Sequence, residues 1–497
     1  MGIRVDIKRK KMYKDLSEQK RQEYFNLIDK KYLHNIDNVY YSCFITDDRA
    51  DNQNVQQFVN DLLECKRLMI QNYEETPFKY GLIYEAKRHA TYGLCITNKD
   101  RYDIFLDEFY RNDDTPRILI KIRAMPLWLE PIHDVLEEAL EVVDQVLSDY
   151  GLCVLCTREN RIDYCYHTNY IQSPRKHFKD DVLESTLVTT MKAYSIQGKI
   201  KRQFKKTTLT KDYLGFGNRG SQNVFVRIYN KTREVIEQGY KPFFIHIWYE
   251  HRLINYYDKY CLEYAFEHKN YDKIHTGRLN FYLEFGQDPH IKKRIHTMLC
   301  DPETTIQDIE ALANLYMPKV TTICNIEFET KRKFYYSYDK AINMLSVLDS
   351  KRDKNLHRLF KIIDNRTLFL EYITHKLMTY EKNGKTCEWW KRLQSCKLEN
   401  VTNKKDDIAR EYSKNLNEKQ VKRKFINNVA SLSIYNDNTD TDFAMDVCDV
   451  LSNMNDNHTQ YDLVSQYGVL GEEISSELLR DYQVIKDKKN RLLKNRK

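Results

Sequence analysis

No stretch of this 497-residue chain approaches the roughly 18 to 20 consecutive apolar residues that span a bilayer. The charged opening "MGIRVDIKRKKMYKDL" has no apolar segment behind it, and Asp6 stands where myristoylation needs Ser or Thr. Neither a leader nor a lipid anchor is therefore expected. The twelve cysteines are scattered and do not form the dense framework of a small secreted domain. These absences lead to an expected cytoplasmic setting with no membrane partner. A nucleotide-triphosphate loop is missing too: the glycines of "GFGNRGS" lack the G-K-[ST] ending and read as turn residues. Cys153, Cys156, Cys165 and His167 imitate a zinc pattern, but Cys153 and Cys156 lie three apart on a strand and face opposite ways. No internal repeat is visible.

What is present is a charged, core-forming chain. Hydrophobic residues make up 41% of it, and 80 Lys and Arg against 72 Asp and Glu leave a formal charge of +8. That balance permits a nucleic-acid partner without requiring one. The 37 tyrosines suit an AT-rich coding sequence, so any single tyrosine is first of all an ordinary one. Texture divides the chain into a basic and helical region at 1–75, a mixed domain at 76–290, a helical region at 291–434, and a polar break with a charged tail at 435–497. The expected fold class is α+β, a mostly antiparallel sheet with helices on one face, followed by a mainly helical C-terminal region.

Local patterns support that class. "NVQQFVNDLLECKRLMIQ" repeats Phe58, Leu62, Cys65 and Leu68 at helical spacing. "PIHDVLEEALEVVDQVLSDYG" is the clearest helix, opened by Pro131, striped by Leu136, Leu140, Val143 and Leu147, and closed by Gly151. "KYGLIYEA", "TYGLCITN" and "RILIKIRA" read as strands. "YLGFGNRGSQNVFVRIYNK" reads as a hairpin, and "GRLNFYLEFG" as a further strand.

Three of these strands alternate polar and apolar residues. Arg161, Asp163, Cys165 and His167 share one face of "RIDYCYH", and Phe225, Arg227, Tyr229 and Lys231 one face of "VFVRIYNK". Read as a strand, "GRLNFYLEF" adds Arg278, Asn280, Tyr282 and Glu284. The pattern has two readings: a solvent-exposed sheet face, which antiparallel sheets commonly have, or a platform built around Tyr229. In the second, a phenol with a reference pKa of about 10 needs activation by a neighbouring base, cation or metal. A phosphodiester needs its charge neutralised before a nucleophile can approach. Carboxylates such as Asp163 can hold a hard divalent cation, while Arg227 and Lys231 position phosphate. The basic segment Lys199, Lys201, Arg202, Lys205 and Lys206 suits salt-dependent DNA binding.

"GFGNRGSQNVFVRIYNKTRE" and "NRIDYCYHTNYIQ" together resemble the Rep_trans replication initiators of rolling-circle plasmids and the related MOBT relaxases of integrative conjugative elements. The matching positions are Gly217, Arg219, Ser221, Arg227, Tyr229, Asn230 and Lys231, with Arg161 and Asp163 upstream; the likeness covers roughly 78 to 290. It implies that Tyr229 attacks one DNA strand at an origin, leaving a 5′-phosphotyrosine and a free 3′-OH. Arg227, Lys231 and Arg161 would assist, and Arg219 and Ser221 would contact DNA. It also implies Mg²⁺ or Mn²⁺ held by Asp163 and a second carboxylate. The family's late Arg-x-Glu strand is not matched at Arg278 and Asn280, so Glu284 and Glu184 are the candidates, with His167 a further ligand or proton acceptor. The His-x-His pair of many nickases is absent, and His246 and His251 are spaced for a helix. Origin DNA, single-stranded or extruded as a hairpin, is the implied partner; a host helicase and a homodimer are compatible with it. A non-catalytic DNA-binding protein on the same scaffold is the alternative.

Overall fold

The computed structural model describes residues 16–46, 48, 52–72, 76–109, 111, 114–177, 187–189, 213–216, 223–239, 241–336 and 356–396, with residues 2–3 and 429. Its centre is a ten-stranded sheet. In chain order the strands are β1 (Tyr32–Ile45), β2 (Thr76–Pro77), β3 (Ile83–Tyr84), β4 (Leu94–Asn98), β5 (Tyr102–Leu106), β6 (Ile118–Ile122), β7 (Val154–Thr168), β8 (Tyr213–Phe216), β9 (Val224–Asn230) and β10 (Cys324–Lys331). Their spatial order is β8-β9-β10-β7-β1-β6-β5-β4-β3-β2. Every adjacent pair is antiparallel.

One face of the sheet is apolar and carries helices. Ile118, Ile120 and Ile122 of β6 and Val224, Val226 and Ile228 of β9 point into a single core. That core also takes Val55, Phe58 and Leu62 from α1 (Gln53–Asn72), and Val135, Leu136, Val143 and Leu147 from α3 (Ile132–Ser148). Between them, α2 (Ala124–Leu129) follows β6 directly. Gly151 closes the α3 turn at φ +67°, a conformation that costs glycine little. A mainly helical region at 357–394 packs on the same core, and Trp390 is fully buried there with its Nε1 donating to the Thr374 carbonyl at 2.9 Å.

A second core is mainly helical. It is built by α4 (Lys231–Gln238), α5 (Phe243–Glu250), α6 (Tyr256–Glu267), α7 (Lys273–Phe285), α8 (Pro289–Cys300) and α9 (Ile306–Tyr316). Here the sequence expectation is corrected, because "GRLNFYLEFG" belongs to helix α7 and not to a strand. The helix is enclosed by its neighbours, so apolar residues occur around most of its circumference and the alternation mimics a strand. Gly277 permits the close crossing, since a Cβ there would lie 3.2 Å from the Cys261 carbonyl oxygen. Arg278 is buried and donates to the carbonyls of Ala313 and Met317 at 3.0 and 2.9 Å.

The expected division at residues 75 and 290 also fails to follow the sheet. Its long strand β1 comes from before that span and β10 from after it, because each supplies hydrogen bonds that β7 needs on either edge. Asp258 braces the entry to β10: it accepts from the Thr321 N–H at 2.8 Å while completing the α6 capping box with Asn255. Asp258→Ala strips these buried N–H groups of their acceptor. It is expected to lower stability by about 1–3 kcal/mol, measured by urea unfolding of the whole chain.

Candidate functional site

On the polar face of β9, β10, β7 and β1 several charged and polar side chains are buried beneath a cleft. Asp163, His167, Asn325, Glu327 and Glu329 are all buried. Buried charge must be paired or hydrogen-bonded, and the register shows how this is arranged. Arg227 stands opposite Glu327, which stands opposite Cys165; Tyr229 stands opposite Asn325, which stands opposite His167. Glu329 stands opposite Asp163.

Tyr229 is the meeting point. Its hydroxyl donates to Glu327 Oε2 at 3.0 Å and accepts from Asn325 Nδ2 at 3.0 Å and Lys231 Nζ at 3.2 Å. Glu327 Oε1 takes the Arg227 guanidinium. Lys231 is the first residue of α4, whose N-cap Asn230 accepts from the Arg233 N–H, and this places the ammonium back over the sheet. There it donates to Asp37 Oδ2 at 3.0 Å and ion-pairs with Glu234 at 2.8 Å. The second oxygen of Asp37 accepts from Trp128 Nε1 at 3.1 Å. Beside this group, Arg161 grips both oxygens of Asp163 at 2.6 Å and reaches Glu329 at 3.0 Å, while Asn38 donates to Asp163 at 3.1 Å.

The titration of these groups follows from burial and crowding. Burial, then the charges of Glu234 and Glu327, push the Tyr229 phenol well above its ordinary value, so it rests protonated. Burial raises Glu327, and Asp163 and Asp37 add to the rise against the pull of Arg227 and Lys231. Burial opposes the Lys231 ammonium, yet Asp37 and Glu234 more than offset it and keep the amine charged. A carboxylate made more basic therefore receives the hydrogen bond of a phenol that two donors already hold.

The sequence pointed to Arg161, Asp163, Arg227, Tyr229 and Lys231, and the fold brings all five together. It missed Asp37, Asn325, Glu327 and Glu329. Asp37 escapes because the β1–β7 register shifts between Ile36 and Asn38, and this bulge turns consecutive residues toward the site. Glu327 and Glu329 carry a readable signal, the alternation in "NIEFET", but it lies within a stretch taken as helical. Glu284 is corrected: it lies on α7, away from the sheet face, and accepts from the Tyr260 hydroxyl at 3.0 Å. Glu184, Lys199, Lys201, Arg202, Lys205, Lys206, Gly217, Arg219 and Ser221 lie outside the described residues.

Among the described residues, Asp37, Cys165 and His167 offer three candidate metal-ligand atoms within 4.8 Å of one another. The surroundings do not suit Mg²⁺ or Mn²⁺, which prefer oxygen donors. Trp248 Nε1 donates to His167 Nδ1 at 3.1 Å, Lys231 already neutralises Asp37, and burial keeps the Cys165 thiol protonated. His167 is thus a buried neutral imidazole held by an indole. The buried carboxylates Asp163, Glu327 and Glu329 share that face but are already taken up by Arg161 and Arg227, and among the described residues their oxygens do not gather into a cation-sized site; the buried Asn325 Oδ1 beside them has no hydrogen-bond partner.

No family model matches the chain, and no curated protein matches it. Among solved structures, it is similar to a rolling circle replication initiator protein from Geobacillus stearothermophilus, at 9% identity over 73% of this chain and 95% of that one, with a TM-score of 0.30. A likeness this loose assigns neither a family nor an activity.

Burial lowers His34 and His167 to about 3, helped by Arg366 at the first and by Lys231 and Lys241 at the second. Between that value and the ordinary 6.5 the unfolded chain binds protons that the folded chain does not. Stability is therefore expected to fall as the pH drops from about 6.5 toward 3. His167→Gln should make the decline shallower, read from urea midpoints between pH 4 and 7.

Proposed function

We propose that this protein cuts one strand of DNA by attack of Tyr229 on a phosphodiester, as the motif resemblance to replication initiators and relaxases implies. The observation that supports this reading most is the hydrogen-bond set of the Tyr229 hydroxyl, with one carboxylate to take its proton and two donors to stabilise the phenolate. In the proposed step the Tyr229 oxygen bonds to phosphorus as the bond from phosphorus to the 3′-oxygen breaks, the phenolic proton passes to Glu327, and the departing 3′-oxygen takes a proton from water. The products are a 5′-phosphotyrosine and a free 3′-OH. The covalent bond retains the energy needed for rejoining, so the reaction requires no nucleotide triphosphate.

Arg227 holds Glu327 in place and lies on the approach of the scissile phosphate. Lys231 and Asn325 keep the phenolic oxygen aimed and lower the cost of charging it. Arg161, held in the plane of the Asp163 carboxylate, offers the phosphate a second guanidinium. The resemblance implies Mg²⁺ or Mn²⁺ at Asp163, where the ion would neutralise phosphate charge when bound. Initiation of rolling-circle replication and processing of a conjugative strand both use this chemistry, and origin DNA is the proposed substrate.

Full-length protein incubated with Mn²⁺ and single-stranded DNA flanking the gene should yield an adduct that survives denaturing electrophoresis. Tyr229→Phe should bind the same DNA and form none; an adduct with that variant would move the nucleophile elsewhere. Glu327→Gln should slow adduct formation by about 10²–10⁴-fold at unchanged affinity. Cleavage that proceeds unaltered in EDTA would remove the metal from the scheme. DNA binding with no adduct in any preparation would favour a non-catalytic DNA-binding protein.

A further inference from the structure

The cleft above Tyr229 does not end at the strands that carry the site. It encloses about 1380 Å³ and runs on over β1, β6 and β5 to the loop before β4. Ten lysines and arginines line it against six aspartates and glutamates. Part of that excess lies far from the phenol, on Lys87, Arg88, Lys121 and Arg123.

These cations are arranged by the sheet itself. Thr97 pairs with Asp103, Asp103 with Lys121, Lys121 with Tyr40 and Tyr40 with Arg161, so one row of directly opposed residues crosses β4, β5, β6, β1 and β7. At about 4.8 Å per strand the row is roughly 19 Å long, and it ends on the arginine that binds Asp163. Asp103 organises its far end. This buried carboxylate accepts from Thr97 Oγ1 at 2.7 Å and Arg123 Nη2 at 2.5 Å, with Lys87 and Lys121 at 3.7 and 3.9 Å. Asp103 thus gathers three cations; Glu85 also pairs with Lys87, so with Arg88 four cations stand against two carboxylates. Tyr40 spaces the near end, with Lys121 Nζ 5.8 Å and Arg161 Cζ 4.9 Å from its ring centre. His89 lies against Tyr40 and Phe105 and gives the cleft a partly exposed ring.

We propose that this row is a track for the backbone of a single nucleic-acid strand. Phosphates on one side of the scissile bond would lie along Arg161, Lys121, Arg123, Lys87 and Arg88, with a base able to stack on His89. Cations held in place along and beside this row, next to ring surface and in a cleft continuous with the Tyr229 site, suit a flexible polyanion better than a small ligand. The proposal rests on the reading of Tyr229 as the nucleophile, but it concerns a different part of the cleft and is tested by binding alone.

The test uses the full chain carrying Tyr229→Phe and a fluorescein-labelled 20-nucleotide oligodeoxythymidylate, with anisotropy followed across salt concentrations. Arg88→Ala and Lys121→Met should each weaken binding about 3- to 10-fold. Together they should lower the slope of log affinity against log salt by about 1.4, at about 0.7 per phosphate contact on a single strand. Arg67→Ala, an exposed arginine on α1, serves as the control and should change neither. Unchanged affinity and slope in the Arg88 and Lys121 variants overturn the track, as does an equal loss in the control. Should Lys121→Met fail to fold, exposed Arg88 decides the matter alone. If the wild type forms no adduct with origin DNA while these binding changes appear, the reading of Tyr229 fails and the track stands.

Discussion

The structure of the site depends on one buried ion pair. Lys231 and Asp37 are 194 positions apart in the chain and meet at 3.0 Å with both side chains almost wholly removed from water. Neither charge is tolerable there alone. Their pairing fixes the start of α4 against the bulge in β1, and this orients β9 so that Tyr229 lies between Lys231 and Glu327. The third direction open to the ammonium is filled by Glu234, one turn further along α4. The arrangement leaves Lys231 little freedom, and a rigid cation beside the phenol needs no reorganisation when charge develops on it.

Carboxylates and cations around this pair fall into three groups. Asp37 and Glu234 serve Lys231, whereas Glu327 serves Arg227 and the phenol. Asp163 and Glu329 share Arg161. Each of these three cations is thus satisfied within the protein by five carboxylates, with Lys241 beside Glu234 adding a fourth positive charge. Introducing a phosphodiester shifts that balance. On the proposed reading its negative charge would compete with Glu327 and Asp163 for the guanidiniums, which would link the protonation of Glu327 to DNA binding.

Much of the fold was legible in the sequence where one face of an element is buried and the other is not. The helix at 132–148, the hairpin 213–230 and the strand through Arg161 and Asp163 all obey that condition, and their periods are clean. It breaks down at α7, buried on several sides, where Leu279, Phe281, Leu283 and Phe285 keep a two-residue spacing inside a helix. It breaks down again at Asp37, because a bulge suspends alternation for one residue. For the site, the five residues that the sequence pointed to and the fold brings together lie on two regular strands and the start of the helix that follows one of them. The four that were missed lie on strands supplied from distant parts of the chain. Periodicity shows which residues share a face, but it does not show which strands will be neighbours.

That distance has a consequence for how the protein comes into being. The strand that carries Tyr229 is paired on one side by the four-residue β8 and on the other by β10, almost a hundred residues later. A growing chain that has released Tyr229 but not yet Glu327 holds a phenol with no proton acceptor beside it. Such non-local pairing is slow to form, because loop closure must precede the contacts that reward it. A nascent chain would therefore carry the Tyr229 phenol long before Asn325, Glu327 and the rest of β10 could close around it.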